Sequence, residues 1–259
     1  MTHDRCGVGV LMAFLITFVT VSLSSSAGYG QTIPLRSVGS VSLDPANFTH
    51  PVSNPYFPLT PGTTYFYQAE EEDGLSRTEV SITSARKTIE GVSAVVVHDV
   101  SWLDVTDGPT VLIENTFDWF APDNVGDVWY LGESTVEHLY DDNWKPIGTS
   151  TEGSWQAGVD GAEAGLVMLA NPRAGLTYRQ EFAAGVAEDM AKIERLNVRV
   201  SVPYGDFRNA LVTKEWTTLE PGTIERKYYV AGLGLLLTKE FHGKGTVREE
   251  LVAVTSVAR

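Results

Sequence analysis

The chain has 259 residues, with 33 Asp and Glu against 19 Lys and Arg, a formal charge of −14, and one cysteine. That acidic excess repels nucleic acid and anionic membrane surfaces, so neither is expected as a main partner. Cys6 precedes the first apolar run, and the rest of the chain offers no thiol for a disulfide, a thiolate metal site or a cysteine nucleophile.

Residues 1–30 read as a secretory signal peptide. A charged start with Asp4 and Arg5 leads into the apolar run "GVGVLMAFLITFVTVSL", and "SSSAGYGQ" then places cleavage after Ala27 or Gly30. An uncleaved anchor is the alternative, since the run approaches the length of a membrane span. The expected location is secreted or periplasmic, with no stable membrane insertion after cleavage. Residues 31–62 follow as a proline-rich segment, "SLDPANFTHPVSNPYFPLTPG" at its end, expected to wrap an edge or plug one end of the fold.

From Tyr65 onward the apolar pattern has period two, with turn residues every 8 to 12 or so positions, which predicts an antiparallel all-β domain over 63–259. No repeat, low-complexity tract or linker divides it. A meander of this size must close or curl into a barrel or half-barrel with a concave face, because open edges invite aggregation.

The first hairpin, "TTYFYQAEEEDGLSRTEVSIT", turns at Asp73-Gly74, where φ > 0 is needed. Pairing Glu72 with Leu75 sets Tyr67 opposite Val80, Tyr65 opposite Ile82 and Glu70 opposite Arg77. "GVSAVVVHDVSWLDV" is apolar on both faces and reads as a central strand. On it, His98 shares a face with Val96, Val100 and Trp102, so a buried or cavity-lining histidine is expected, with Asp99 pointing away.

The stretch "DWFAPDNVGDVWYLGE" reads as a second hairpin with its loop at Ala121–Gly126. Its register pairs Phe120 with Asp127, Asp118 with Trp129 and Glu114 with Glu133. Ile113, Phe117, Trp119, Val128 and Tyr130 then form the core side. The other side is a solvated strip holding Glu114, Asp118, Asp127 and Glu133 beside an exposed Trp129. Like charges directly opposite repel unless water, a cation or a proton intervenes, so these four acids are the candidate calcium ligands. Downstream, "STVEHLYDDNW" sets His138 among acids without the spacing of a zinc site. "LNVRVSV" alternates with Leu196, Val198, Val200 and Val202 on one face, and "AEDMAKIERL" fits a short helix or a strand.

Two late segments, "VRVSVPYGDFRNALVTKEW" and "RKYYVAGLGLLLTKEF", together with "NPYFPLTPGTTYFY", resemble uncharacterised exported bacterial β-sheet families. These families are similar in style to lipoprotein-carrier half-barrels and lipocalin-like barrels. The Val-Pro-x-Gly-x-Phe turn and the Tyr-Tyr-x-x-Gly-x-Gly-Leu corner carry the likeness. It implies a curved sheet with a concave face and no particular reaction.

The resulting expectation is an exported soluble barrel that binds an apolar or amphipathic small molecule in its concavity, lined by Tyr65, Tyr67, His98, Trp102, Trp129 and Tyr229. A secreted hydrolase or lyase working through acids and a histidine is the second reading. A structural or calcium-stabilised envelope protein is the third.

Overall fold

The computed structural model describes residues 43–242 and 245–256, so the predicted signal peptide lies outside the described residues. The described chain is strand almost throughout. The early strands are β1 (Thr63–Glu70), β2 (Gly74–Ile89), β3 (Val92–Val105), β4 (Thr110–Pro122) and β5 (Val128–Tyr140). Short strands follow: β6 (Pro146–Ser150), β7 (Trp155–Gln156), β8 (Glu163–Met168), β9 (Thr177–Arg179) and β10 (Glu181–Phe182). The last group is β11 (Asp189–Val202), β12 (Gly205–Thr217), β13 (Ile224–Val230), β14 (Gly234–His242) and β15 (Gly245–Ser256). "AEDMAKIERL" therefore forms strand, not helix.

The strands make one antiparallel sheet in the order β10-β8-β5-β4-β3-β2-β1-β15-β14-β13-β12-β11-β9, with β6 and β7 added beside β5. The two terminal strands of that order, β9 and β10, are separated in sequence only by Gln180. The same stretch of chain thus touches both edges, and the sheet curls into a nearly closed barrel with one unsealed seam. Across the seam β8 and β10 share only the pairs Ala164–Glu181 and Glu163–Phe182. Side chains supplement them: the Tyr178 hydroxyl donates to the Val167 carbonyl at 3.4 Å, and Arg179 pairs with Glu163. Closure leaves the barrel little free edge from which to recruit another strand.

In the first hairpin, Glu70 pairs with Leu75, Tyr67 with Thr78 and Tyr65 with Val80. This is two residues away from the register expected from Asp73-Gly74. A slip of two preserves which side chains share a face, so Tyr65, Tyr67 and Val80 still point inward together. Arg77 finds Asp104 on β3, at 2.7 Å, instead of Glu70.

One end of the barrel is covered by chain from two directions. Residues 43–62 begin with a 3-10 turn, Pro45–Phe48, capped by Asp44, and then run across the loops at that end. Asn54 donates to the carbonyls of Gly126 and Leu169, the amide of Gly232 donates to the Pro55 carbonyl, and Phe57 meets Phe120 edge-on at 5.0 Å. From the other direction comes the hairpin of β11 and β12. Register shifts at Ile193/Arg195, Arg195/Val198 and Val198/Val200 interrupt its ladder. Such bulges bend a strand, and here the tip folds over until the Tyr204 amide donates to the Leu251 carbonyl on β15. Val200 and Val202 join the main core, while Leu196 stays exposed.

Gly165 is where the seam demands a missing side chain, since a Cβ there would lie 2.3 Å from the Gln180 carbonyl oxygen. Gly165→Ala should therefore lower stability by about 1–3 kcal/mol, the usual cost of overpacking against fixed backbone. Gly148→Ala, where a Cβ meets nothing within 4 Å, is the control and should leave the melting temperature unchanged. Thermal melts of the two variants side by side make the check; equal melting temperatures would mean the seam yields without cost.

Candidate functional site

The acid-rich hairpin divides into a loop and an interior. In the loop, Asp123 Oδ1 accepts from the amides of Val125, Gly126 and Asp127 at 2.9 to 3.0 Å, and its Oδ2 accepts from Trp129 Nε1 at 3.1 Å. Asp127 accepts from the Ala170 amide at 2.6 Å, and Asn124 ties the loop to His50 and Ala46. Trp129 lies on the outer face against Phe48, not in a concavity. These groups hold the loop and the 43–62 segment together.

Beyond the loop, β4 and β5 pair as Phe120–Tyr130, then Asp118–Glu133 and Glu114–Glu137. One extra β5 residue is accommodated at Leu131–Gly132, where Gly132 has φ 130°. The expected pairing of Glu114 with Glu133 is replaced, and Tyr130, paired with Phe120, lies on the same side as Asp118. That side is the barrel interior. Glu114, Asp118 and Glu133 are buried, whereas Phe117, assigned to the core, is 40% exposed. Trp119, also assigned to the core, lies buried with the Lys87 ammonium 3.1 Å from its ring centre.

These three acids belong to a larger set. Asp99, Glu181, Asp189, Glu215 and Glu249 are buried as well, and Lys227 is the one buried cation among the described residues. Lys227 lies 3.0 Å from Glu215 and 2.9 Å from Glu225. Hydroxyls serve several of the others. Tyr130 bridges Asp118 at 2.7 Å and Glu133 at 3.0 Å, Thr116 donates to Glu114 at 2.5 Å, and Thr78 donates to Glu249 at 2.8 Å. Tyr130 has one proton to give, so one of its two acids must donate to it in turn. Asp99 Oδ2, Asp118 Oδ2, Asp189 Oδ2, Glu249 Oε2 and both Glu181 oxygens meet no donor. Glu181 and Asp189 face each other, and the Trp155 indole approaches Glu181 without closing a hydrogen bond.

A buried carboxylate without donors is far costlier than a neutral carboxyl, so burial favours the protonated form of these groups. Burial pushes Glu114 up to about 7 and Glu249 up to about 8. It drives Asp99, Glu133 and Glu181 well above the carboxylate range, with neighbouring acids adding to the effect. Burial alone would depress Lys227, but Glu215 and Glu225 more than offset it and keep the ammonium charged.

The sequence-derived candidates separate accordingly. Tyr65, Tyr67 and Tyr229 do point inward, yet they are buried in the packed core, and the Tyr67 hydroxyl donates to the Leu235 carbonyl at 3.1 Å. His98 and Trp102 face outward, because β3 turns Val97, Asp99 and Ser101 inside. His98 bonds Asn115 at 2.7 Å and stacks on Phe117. Of the proposed calcium ligands, Asp127 stands apart in the loop. Among the described residues, no group of three or more His, Cys, Asp or Glu is arranged to hold a metal ion.

A cavity of about 270 Å³ opens at the covered end, between the 170–173 connection and the β11–β12 hairpin. Polar Asn171, Arg173, Asn197 and Asn209 and apolar Tyr56, Leu196 and Leu211 line it together. None of these residues is a candidate site residue from the sequence. They come from four separate stretches, and no local pattern joins them.

No family model matches the sequence, and no curated protein matches it. The fold is similar to that of several solved structures. A lipoprotein candidate from Parabacteroides distasonis is 11% identical with a TM-score of 0.41, over 79% of this chain and 100% of that one. An exported-protein candidate with a YmcC-like fold from Bacteroides fragilis is 12% identical with a TM-score of 0.34, over 78% and 100%. A β-barrel-like protein with a domain of unknown function from Brucella abortus is 8% identical with a TM-score of 0.39, over 76% and 97%.

The interior acids set a pH dependence opposite to ordinary acid denaturation. Their folded pKa values lie above the unfolded ones, so the folded state binds more protons and stability falls as pH rises. The stabilisation is complete below about 4.5 and is lost through about 8, at a slope on the order of 1.4 kcal/mol per pH unit for each retained proton. The melting temperature should peak near pH 5 and drop steadily to pH 8.5. Glu249→Gln, which mimics the protonated acid, should raise it at pH 8.5 and change it little at pH 5. A melting temperature that rises between pH 5 and 8 would contradict protonated burial.

Proposed function

We propose that this is an exported β-barrel protein that binds a small amphipathic molecule at the covered end of the barrel, not in its centre. The cavity beneath the β11–β12 hairpin carries the reading: polar and apolar side chains line it together, the mixture an amphipathic guest needs. The centre has less claim, because its rings and acids are packed against one another. The leader-like residues 1–30 support export. The hydrolase or lyase reading lacks comparable support, since His98 and the interior acids stand on opposite faces of β3.

Native mass spectrometry of protein purified from its own envelope should reveal a bound small molecule at one per chain. In vitro, a hydrophobic fluorophore should bind stoichiometrically, and Leu196→Trp, which fills the cavity from an exposed position, should weaken it at least tenfold. Trp102→Ala, on the outer face, should not. Undiminished dye binding in the Leu196 variant would remove this cavity as the site.

A further inference from the structure

The cavity differs in charge from the acidic chain around it. The chain carries a net charge of −14, yet no Asp or Glu lines this cavity and an arginine does. Arg77, Arg179, Arg226 and Arg248 each sit beside a carboxylate. The Arg173 guanidinium has no such partner among the described residues. The acids nearby are already engaged: Glu194 holds Arg226 at 2.8 Å, and Asp206 accepts from the Ser201 hydroxyl.

The other polar groups of the wall are equally unspent. The side-chain amides of Asn171, Asn197 and Asn209 make no hydrogen bond to described protein atoms, so each can offer two N–H donors. Asn197 takes the left-handed conformation at φ 58°, which Asn adopts at less cost than most side chains. A guanidinium fork that shares a cavity with N–H donors matches the oxygens of a carboxylate or phosphate, and binds them as charge-assisted pairs. The same lining includes Leu196 and Leu211, which offer apolar contact but no partner for a head group.

We propose that this cavity binds an amphipathic anion: a carboxylate or phosphate head held by Arg173 and the three asparagines, with a short apolar tail against Leu196 and Leu211. The assignment rests on the small-molecule reading of the same cavity. At about 270 Å³ it falls just below the roughly 300–1,000 Å³ of drug-sized sites, so it suits a single tail of several carbons. A whole diacyl lipid would not fit within it.

Calorimetric titration of the purified protein with four eight-carbon probes tests this: octanoate, octyl phosphate, octanol and octylammonium. Octanoate and octyl phosphate should bind one per chain, and more tightly than octanol or octylammonium. In Arg173→Gln the dissociation constants of both anions should rise at least tenfold while octanol is unaffected, and Arg173→Lys should recover part of the loss. In the unaltered protein, octanoate should shift the side-chain amide resonances of Asn171, Asn197 and Asn209, a readout that needs no variant. Inorganic phosphate alone, lacking the tail, should bind far more weakly than octyl phosphate. Octanol or octylammonium binding as tightly as octanoate, or an unchanged octanoate affinity in Arg173→Gln, overturns the anionic assignment and leaves the cavity as a site for another guest. If no probe binds and the fluorophore does not either, the small-molecule reading falls with it.

Discussion

A barrel of this kind must settle what to do with the side chains that its alternation turns inward, and here many of them are acids. Among the described residues one buried ammonium, Lys227, stands against eight buried carboxyl groups of the interior, the ninth buried acid, Asp123, being held in the β4–β5 loop. It can neutralise only its immediate neighbours, Glu215 and Glu225. The remainder are tolerated through hydroxyl donors and protons. Thr78, Thr116, Thr213 and Tyr130 each hold a carboxyl oxygen, and each projects from a strand into the same interior. A buried acceptor left without a donor costs about 1–3 kcal/mol, and several oxygens remain in that state. The polar middle is therefore a net demand on stability, offset by the apolar core around Phe57, Phe120, Tyr65 and Val80.

Charge is also distributed unevenly between the ends. Away from the covered end, Glu71, Glu220 and Glu240 gather, and burial pushes Glu220 and Glu240 up to about 7, with Asp189 and Glu225 adding to the first and Glu225, Glu220 and Glu71 to the second. The cavity at the covered end is instead lined by Arg173 and by no Asp or Glu. A local positive charge on an acidic protein raises the encounter rate of anions at one site without affecting the fold.

Period two and the spacing of turns made the sheet and its curling legible, because both follow from local backbone geometry. Register was less legible, and the two hairpins differ in what the error cost. In the first, the true pairing differs by two residues, so Tyr65 and Tyr67 keep their inward face. In the second, Phe120 pairs with Tyr130 instead of Asp127, a shift of three that moves Tyr130 to the acid side and leaves Trp129 outside, and the extra residue at Leu131–Gly132 then brings Glu133 to that side too. Glu114, Asp118 and Glu133 were placed on one face correctly, but that face was taken for the solvent side. The usual cost of burying acids argues for that choice, and only the donors supplied by distant strands reverse it. On β3 the difficulty is different: Val96, Val100 and Trp102 balance Val95, Val97 and Leu103, so hydrophobicity could not decide whether His98 or Asp99 faces inward.

The cavity was illegible for a more general reason. Its walls come from Tyr56, from 170–173, from Leu196-Asn197 and from Asn209–Leu211, brought together only because β11 departs from regular pairing three times. Each bulge gives up ladder hydrogen bonds and bends the hairpin further toward β15. The same irregularity that costs regular pairing therefore creates the concavity, and it does so on elements anchored by Asn54, Tyr204 and the 43–62 segment. A binding surface built from irregular chain on a rigid sheet can change its guest by changing a few side chains, while the barrel beneath keeps its register.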